Sequence, residues 1–154
     1  MKTSPIAIEM IQTFESCRLD AYKDAVGIWT IGWGCIQYEN GQKVKAGDTI
    51  TAQRAEDLLL YEVLLKESSV NILLQSAKVN ENQFDALISF TYNVGVSALA
   101  NSTLLSKLKR NAADPSIRDE FMKWVKGTIN GTLVTLPGLV KRRQAEADLY
   151  FTPV

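Results

Sequence analysis

Histidine is absent from all 154 residues, and that absence excludes more chemistry than any residue present. It removes a histidine general base, an imidazole metal ligand and every Ser-His or Cys-His nucleophile pair. Hydrolysis, if the chain performs it, falls to carboxylates. Cysteine is scarce too. Cys17 and Cys35 are too few for a disulfide framework or a four-ligand zinc site, and two ordinary thiols are the expectation. No metal and no cofactor is expected. Net charge is zero, 17 Lys plus Arg against 17 Asp plus Glu, which gives no reason to expect nucleic acid. Long apolar runs are also missing. The stretch from Ile6 to Phe14 is short and broken by Glu9 and Gln12, so neither a signal peptide nor membrane insertion is expected. A role outside the cytoplasm then needs some other agent to let the protein out.

What is present is a globular composition, 46% hydrophobic and 22% charged, at a length that builds a core without disulfides. Residues 1–75 carry seven basic and ten acidic side chains and residues 76–154 carry ten and seven, so the halves stand at −3 and +3. Scattered solvated charge is the expected reading of that difference.

The spacing predicts a first helix over 5–17: Ser4 caps it, Pro5 takes the first helical position, and Ala7, Met10, Ile11 and Phe14 follow at i, i+3, i+4 and i+7. Trp29, Ile31, Trp33 and Cys35 alternate with Thr30, Gly32 and Gly34, which predicts strand over 28–39 with Asn40-Gly41 as a hairpin turn. The two tryptophans belong on the apolar face of a half-buried strand. Thr51 caps a helix of about 25 residues whose 58–65 segment, LLLYEVLL, is apolar nearly all round. Burial on several sides is expected there, with a partner for Glu62. Asn80 with Gln83 resembles a capping box, Phe84, Leu87, Ile88 and Thr91 follow at helical spacing, and Gly95 suits the far cap. Asp114-Pro115 opens a further helix, 127–138 reads as a glycine-containing connection, and Pro137 opens a last helix with Lys141, Arg142 and Arg143 as a solvated face. The fold class is α+β, mostly helical. A small N-terminal lobe with an antiparallel β-sheet covers about 1–55, a connecting helix about 51–75 and a helical C-terminal lobe about 76–154, one domain with a cleft between its lobes.

Glycoside hydrolysis needs a carboxylic acid to protonate the leaving oxygen and a second acidic group to act on water or stabilise the oxocarbenium ion. Glu15 ends the first helix, Asp24 follows in the loop entering the sheet, and Thr30 lies on the strand face opposite the tryptophan row. All three border one cleft in this reading. The spacing of three residues is weak alone.

The surrounding sequence is far more specific. FESCRLDAYKDAVGIWTIGWG, residues 14–34, closely resembles the catalytic segment of the phage-type lysozymes, glycoside hydrolase family 24. The resemblance continues through GDTIT at 47–51, QFDALISFTYNVG at 83–95, STLLSKLKR at 102–110, FMKW at 121–124 and LPGLVKRRQAEADLY at 136–150. It implies a phage lysozyme-like fold and a muramidase that cleaves the β-1,4 bond between N-acetylmuramic acid and N-acetylglucosamine in bacterial peptidoglycan. By position, Glu15 matches the family's catalytic acid, and Asp24 and Thr30 match the two groups that position the attacking water or stabilise charge at the sugar. Inversion at the sugar carbon is implied with them. Asn93, in NVG, resembles a substrate-facing position, while an asparagine before a glycine cap also has a structural explanation.

One departure concerns Cys35, which stands where the family usually has a histidine paired with an acid at the place of Glu62. The expectation is that Glu62 is hydrogen-bonded by backbone or water, or held protonated, near Cys35. Peptidoglycan is the expected partner, and the protein is expected to act as a monomer, made in a bacterial host and reaching the periplasm or wall through a holin or another export route. A lytic transglycosylase on the same bond and a catalytically silent peptidoglycan-binding module are the alternatives. The retained triad argues against both.

Overall fold

A computed structural model describes all 154 residues, Met1–Val154. Two compact units divide them: Glu9–Leu65, and Met1–Ile8 together with Lys66–Val154. The first helix, α1 (Pro5–Phe14), starts where the sequence predicts, with the Ser4 hydroxyl oxygen accepting from the Ile6 amide at 3.1 Å. Ala7 and Ile11 are fully buried on its inner stripe. It stops three residues short of the expected 17, because the chain must turn at Ser16 and Cys17 to enter a strand that the apolar pattern does not reveal.

That strand, β1 (Arg18–Lys23), pairs antiparallel with β2 (Trp29–Gly32), Tyr22 opposite Thr30 and Lys23 opposite Trp29. β2 is four residues long, not the twelve expected. Gly32 (φ 62°) and Gly34 (φ 94°) take left-handed backbone that folds the chain back, so Ile31 and Cys35 exchange both backbone hydrogen bonds at 2.8 and 2.9 Å. Trp33 therefore sits on a turn instead of continuing the alternating row. Ile31, Cys35, Val44 and Leu58 form the core of this unit, with Trp29, Tyr38 and Ile50 packed against it.

The long helix α2 (Ala52–Leu74) begins as expected, the Arg54 amide donating to Thr51 Oγ1 at 3.1 Å. The expected burial on several sides does not hold for the 58–65 segment. Leu58, Leu59 and Val63 are buried, but Leu60, Leu64 and Leu65 are about half exposed, since only the stripe at three- and four-residue spacing meets a neighbour. Glu62 is correspondingly half-buried at the edge of that stripe.

In the second unit, α3 (Glu81–Val94) carries the full capping box of Asn80 and Gln83, and Gly95 (φ 93°) closes it by donating its amide to the Thr91 carbonyl at 2.9 Å. Short helices α4 (Val96–Ala100), α5 (Thr103–Arg110) and α6 (Ile117–Met122) follow. Asp114 begins α6 less directly than expected: its Oδ1 accepts from the Ser116 amide at 2.9 Å and the helix proper starts at Ile117. The segment read as a connection contains a hairpin, β3 (Lys126–Ile129) with β4 (Thr132–Thr135), turning through Asn130 (φ 49°) and Gly131 (φ 77°). Both turn residues need positive φ, and Asn-Gly supplies them, so a usable signal was present. The last helix, α7 (Pro137–Phe151), packs chiefly on α3.

That packing corrects the reading of Lys141, Arg142 and Arg143 as a solvated face. Arg142 and Arg143 are 2% and 0% exposed. Arg142 Nε donates to Glu146 Oε1 at 3.1 Å, Arg143 Nε lies 2.9 Å from Glu146 Oε2, and the Ser89 hydroxyl donates to Glu146 Oε1 at 2.8 Å. Burial pushes the Glu146 carboxyl above its ordinary value, and the two guanidiniums and the hydroxyl offset only part of that desolvation.

Candidate active site

Glu15, Asp24 and Thr30 all lie in the Glu9–Leu65 unit, on three different backbone features. Glu15 stands one residue beyond α1, yet its amide still donates to the Ile11 carbonyl at 2.8 Å. Helical bonding thus extends through it, and its half-buried side chain leaves from a defined backbone.

Asp24 opens the β1–β2 turn and organises it. Its Oδ1 accepts from the amides of Val26 at 3.0 Å and Ile28 at 2.8 Å, while its own amide donates to the Ile28 carbonyl at 2.9 Å. Gly27 (φ 84°) supplies the left-handed residue the turn needs. Both amides go to one oxygen, which leaves Oδ2 uncommitted. Thr30, 4% exposed on β2, donates its hydroxyl to the same Ile28 carbonyl at 3.0 Å. With the proton committed there, Oγ1 offers lone pairs to a further donor.

Tyr22, which the sequence reading did not single out, belongs with them. It faces Thr30 across the strand pair, and the Arg18 guanidinium lies 4.8 Å over its ring. Burial pushes its phenol above the ordinary tyrosine value, and the charges of Glu15 and Asp24 push it further against the opposing pull of Arg18. One phenol thus senses both carboxylates. Its position in β1 was hidden because the apolar pattern of RLDAYK is too weak to mark a strand.

Cys35 is buried and donates its thiol to the Gln37 carbonyl at 3.1 Å. Burial raises its thiol above the ordinary value, opposed by the Gln37 contact and assisted by the Glu62 charge, Glu62 itself being half-buried. Cys17 is exposed, and both cysteines are free thiols.

Asn93 belongs to the other unit, at the end of α3. Its Oδ1 accepts from Arg143 Nη2 at 3.0 Å, which holds the amide oxygen of this exposed residue in place. There it borders a hollow of about 560 Å³ with Lys123, Trp124, Lys126, Leu133 and Leu139. The buried arginine behind Asn93 was the missed residue, because its burial depends on the α3–α7 contact. No group of three or more Cys, Asp or Glu is arranged to hold a metal ion, and no helix is long and apolar enough to cross a membrane.

A small two-stranded sheet carrying a carboxylate turn, joined to a helical half, is the architecture of lysozyme-type glycoside hydrolases found in similar solved structures. An endolysin from Escherichia coli O157:H7 phage FAHEc1 superposes with a TM-score of 0.87 at 39% identity, covering 98% of this chain and 94% of that one. The muramidase domain of SpmX from Asticaccaulis excentricus gives a TM-score of 0.85 at 31% identity over 99% of both chains. An endolysin of Acyrthosiphon pisum secondary endosymbiont phage 1 is 38% identical over 151 residues, 97% of this chain and 98% of the relative. The chain belongs to the phage lysozyme family, whose model matches residues 12–146.

Proposed function

We propose that this chain, a peptidoglycan hydrolase of the muramidase class, cuts the bond between N-acetylmuramic acid and N-acetylglucosamine with Glu15 as the acid and Asp24 and Thr30 as the pair that holds water. The observation that carries the reading is the shared anchoring of Asp24 and Thr30 on Ile28. Asp24 Oδ2 and Thr30 Oγ1 are two acceptors with no proton of their own to give, which is what a water needs to turn its lone pair toward the sugar carbon.

In the proposed step, Glu15 gives its proton to the glycosidic oxygen as the bond from that oxygen to the muramic carbon breaks. Water adds to the carbon and its proton passes to Asp24, yielding a reducing end with inverted configuration. The protein acts as a monomer, made in a bacterial host and reaching the wall after release through a holin or another export route. Asn93 contacts the substrate through its amide hydrogens, its oxygen being taken by Arg143.

Mass spectrometry of fragments from purified peptidoglycan tests the reaction, with Glu15→Gln run beside the unaltered protein. Reducing muramic ends, reduced about 10²- to 10⁴-fold in rate by the substitution, are the expected result. Anhydro ends would reassign the protein as a transglycosylase, and no fragments at all would leave a binding module.

A further inference from the structure

Glu15 and Thr30 are delivered by two separate elements, α1 and β2. α1 finishes at Phe14 with no glycine to close it, and the following residues are Glu15, Ser16 and Cys17. β2 finishes in a turn built from Gly32, Trp33 and Gly34, where the two glycines carry positive φ and little side-chain restraint.

One carboxylate reaches both ends. Glu56, on the first turns of α2, accepts from Gln12 Nε2 with Oε1 at 3.0 Å and Oε2 at 2.9 Å. Its Oε1 also accepts from the Trp33 indole nitrogen at 3.2 Å. Gln12 stands three residues before Glu15, one helical turn back, and Trp33 stands three residues after Thr30. The Glu56 charge also reaches Cys17, whose thiol is raised by burial first and by Glu56 second, so the carboxylate lies along the 12–17 segment. A half-buried acid with an amide and an indole as its donors is not a surface ion pair.

We infer that Glu56 is a positioning residue for the reaction: by holding Gln12 and Trp33 on one carboxylate it sets the end of α1 against the end of β2, and so Glu15 against Thr30. The inference rests on the muramidase reading of Glu15 and Thr30. Its consequence is a loss in turnover without a matching loss in binding, because Glu56 reaches the reacting atoms only through Glu15 and Thr30. Misplacing a reacting group by about 1 Å costs on the order of 10²-fold in rate.

The test is steady-state kinetics on soluble peptidoglycan fragments with Glu56→Leu, Glu56→Gln and the exchange variant Glu56→Gln with Gln12→Glu. In the exchange variant the amide and carboxylate trade places. Gln at 56 still accepts from Trp33 through its carbonyl and donates its N–H to the new carboxylate at 12. Glu56→Leu should lower kcat about 10- to 100-fold with KM within about twofold. Glu56→Gln should fall between, and the exchange variant should recover most of kcat.

Urea midpoints measured alongside separate misfolding from mispositioning, since a merely structural role gives no recovery in kcat beyond the recovery in stability. A folded Glu56→Leu with full kcat, or an exchange variant that regains stability but not kcat, overturns the inference. Glu15→Gln in the same assay keeps the two readings apart. If it is active, the assignment of the acid fails. If it is inactive while Glu56→Leu is fully active, only the role of Glu56 fails.

Discussion

Asp24 and Thr30 are tied to one residue: the Ile28 amide donates to Asp24 Oδ1 at 2.8 Å, and the Ile28 carbonyl accepts the Thr30 hydroxyl at 3.0 Å. Their separation is thereby set by a short stretch of backbone, not by two independent side-chain rotamers. Loop structure and the proposed chemistry meet at Asp24, and substitutions can pull them apart.

Asp24→Asn retains an oxygen that accepts from Val26 and Ile28, so the turn and the melting temperature should hold. The lost charge should lower hydrolysis of cell walls by about 10²- to 10⁴-fold. Asp24→Ala should lose the activity and also the turn, visible as faster amide exchange at Val26 and Ile28. Wild-type activity in Asp24→Asn would remove the carboxylate from the chemistry.

Thr30 tests the acceptor role. Thr30→Ser keeps the hydroxyl and should keep most of kcat, whereas the near-isosteric Thr30→Val should lower kcat about 10²-fold with little change in KM. The buried hydrogen bond lost with it should cost about 1 kcal/mol in urea unfolding. Equal activity of the two variants would show that Oγ1 does not handle water.

Glu146 holds the α3–α7 contact through Arg142, Arg143 and Ser89. Glu146→Gln removes the carboxylate that the two guanidiniums share and should destabilise the protein by about 1–3 kcal/mol, read from denaturant midpoints. A loss below about 1 kcal/mol would mean that water reaches the pair.

Thiol counting distinguishes the cysteines. An aromatic disulfide reagent should modify one thiol rapidly in the native protein, exposed Cys17, and two in denaturant. Cys35 is slowed by burial, which both covers the sulfur and raises its thiol above the ordinary value. Two rapid thiols in the native state would contradict the packing around Cys35.

Glu67 ties the N-terminal segment to α2, accepting the Thr3 amide at 2.8 Å with Lys2 at 3.3 Å. Burial pushes its carboxyl up, but the bonds from Thr3 and Lys2 outweigh it and hold the carboxyl below the usual range. The folded state therefore prefers the ionised form. Its contribution is complete above the unfolded carboxylate value of about 4.3 and disappears as pH falls through the lower folded value. The stability gap between wild type and Glu67→Gln should narrow over that acid window. A gap that widens on acidification would reverse the assignment.

Part of the candidate site was legible in residues 14–34 because its geometry is local. The Asp24 turn closes through hydrogen bonds between near neighbours, whereas the end of α1 and the facing of Tyr22 and Thr30 depended on β1, which the apolar pattern does not mark. The caps at Ser4, Thr51, Asn80 and Gly95 were legible for the same reason: each is a hydrogen bond between near neighbours in sequence. The Asn130-Gly131 hairpin was encoded as locally, but its four-residue strands are too short and too polar to announce themselves.

Tertiary packing decided what local pattern cannot. A basic run such as 141–143 is solvated or buried according to which helix face meets α3, and Glu146 and Ser89 settled that for Arg142 and Arg143. Leu60, Leu64 and Leu65 are about half exposed for the converse reason, lying off the buried stripe of α2. Trp33 left the strand row and found Glu56 because two glycines turned the chain. The sequence by itself determined the caps, the local turn and the family of the active segment, all set by bonds between residues close along the chain. Burial and partnership of its charged and aromatic side chains waited on the fold, because desolvation depends on what arrives from distant sequence to cover each group.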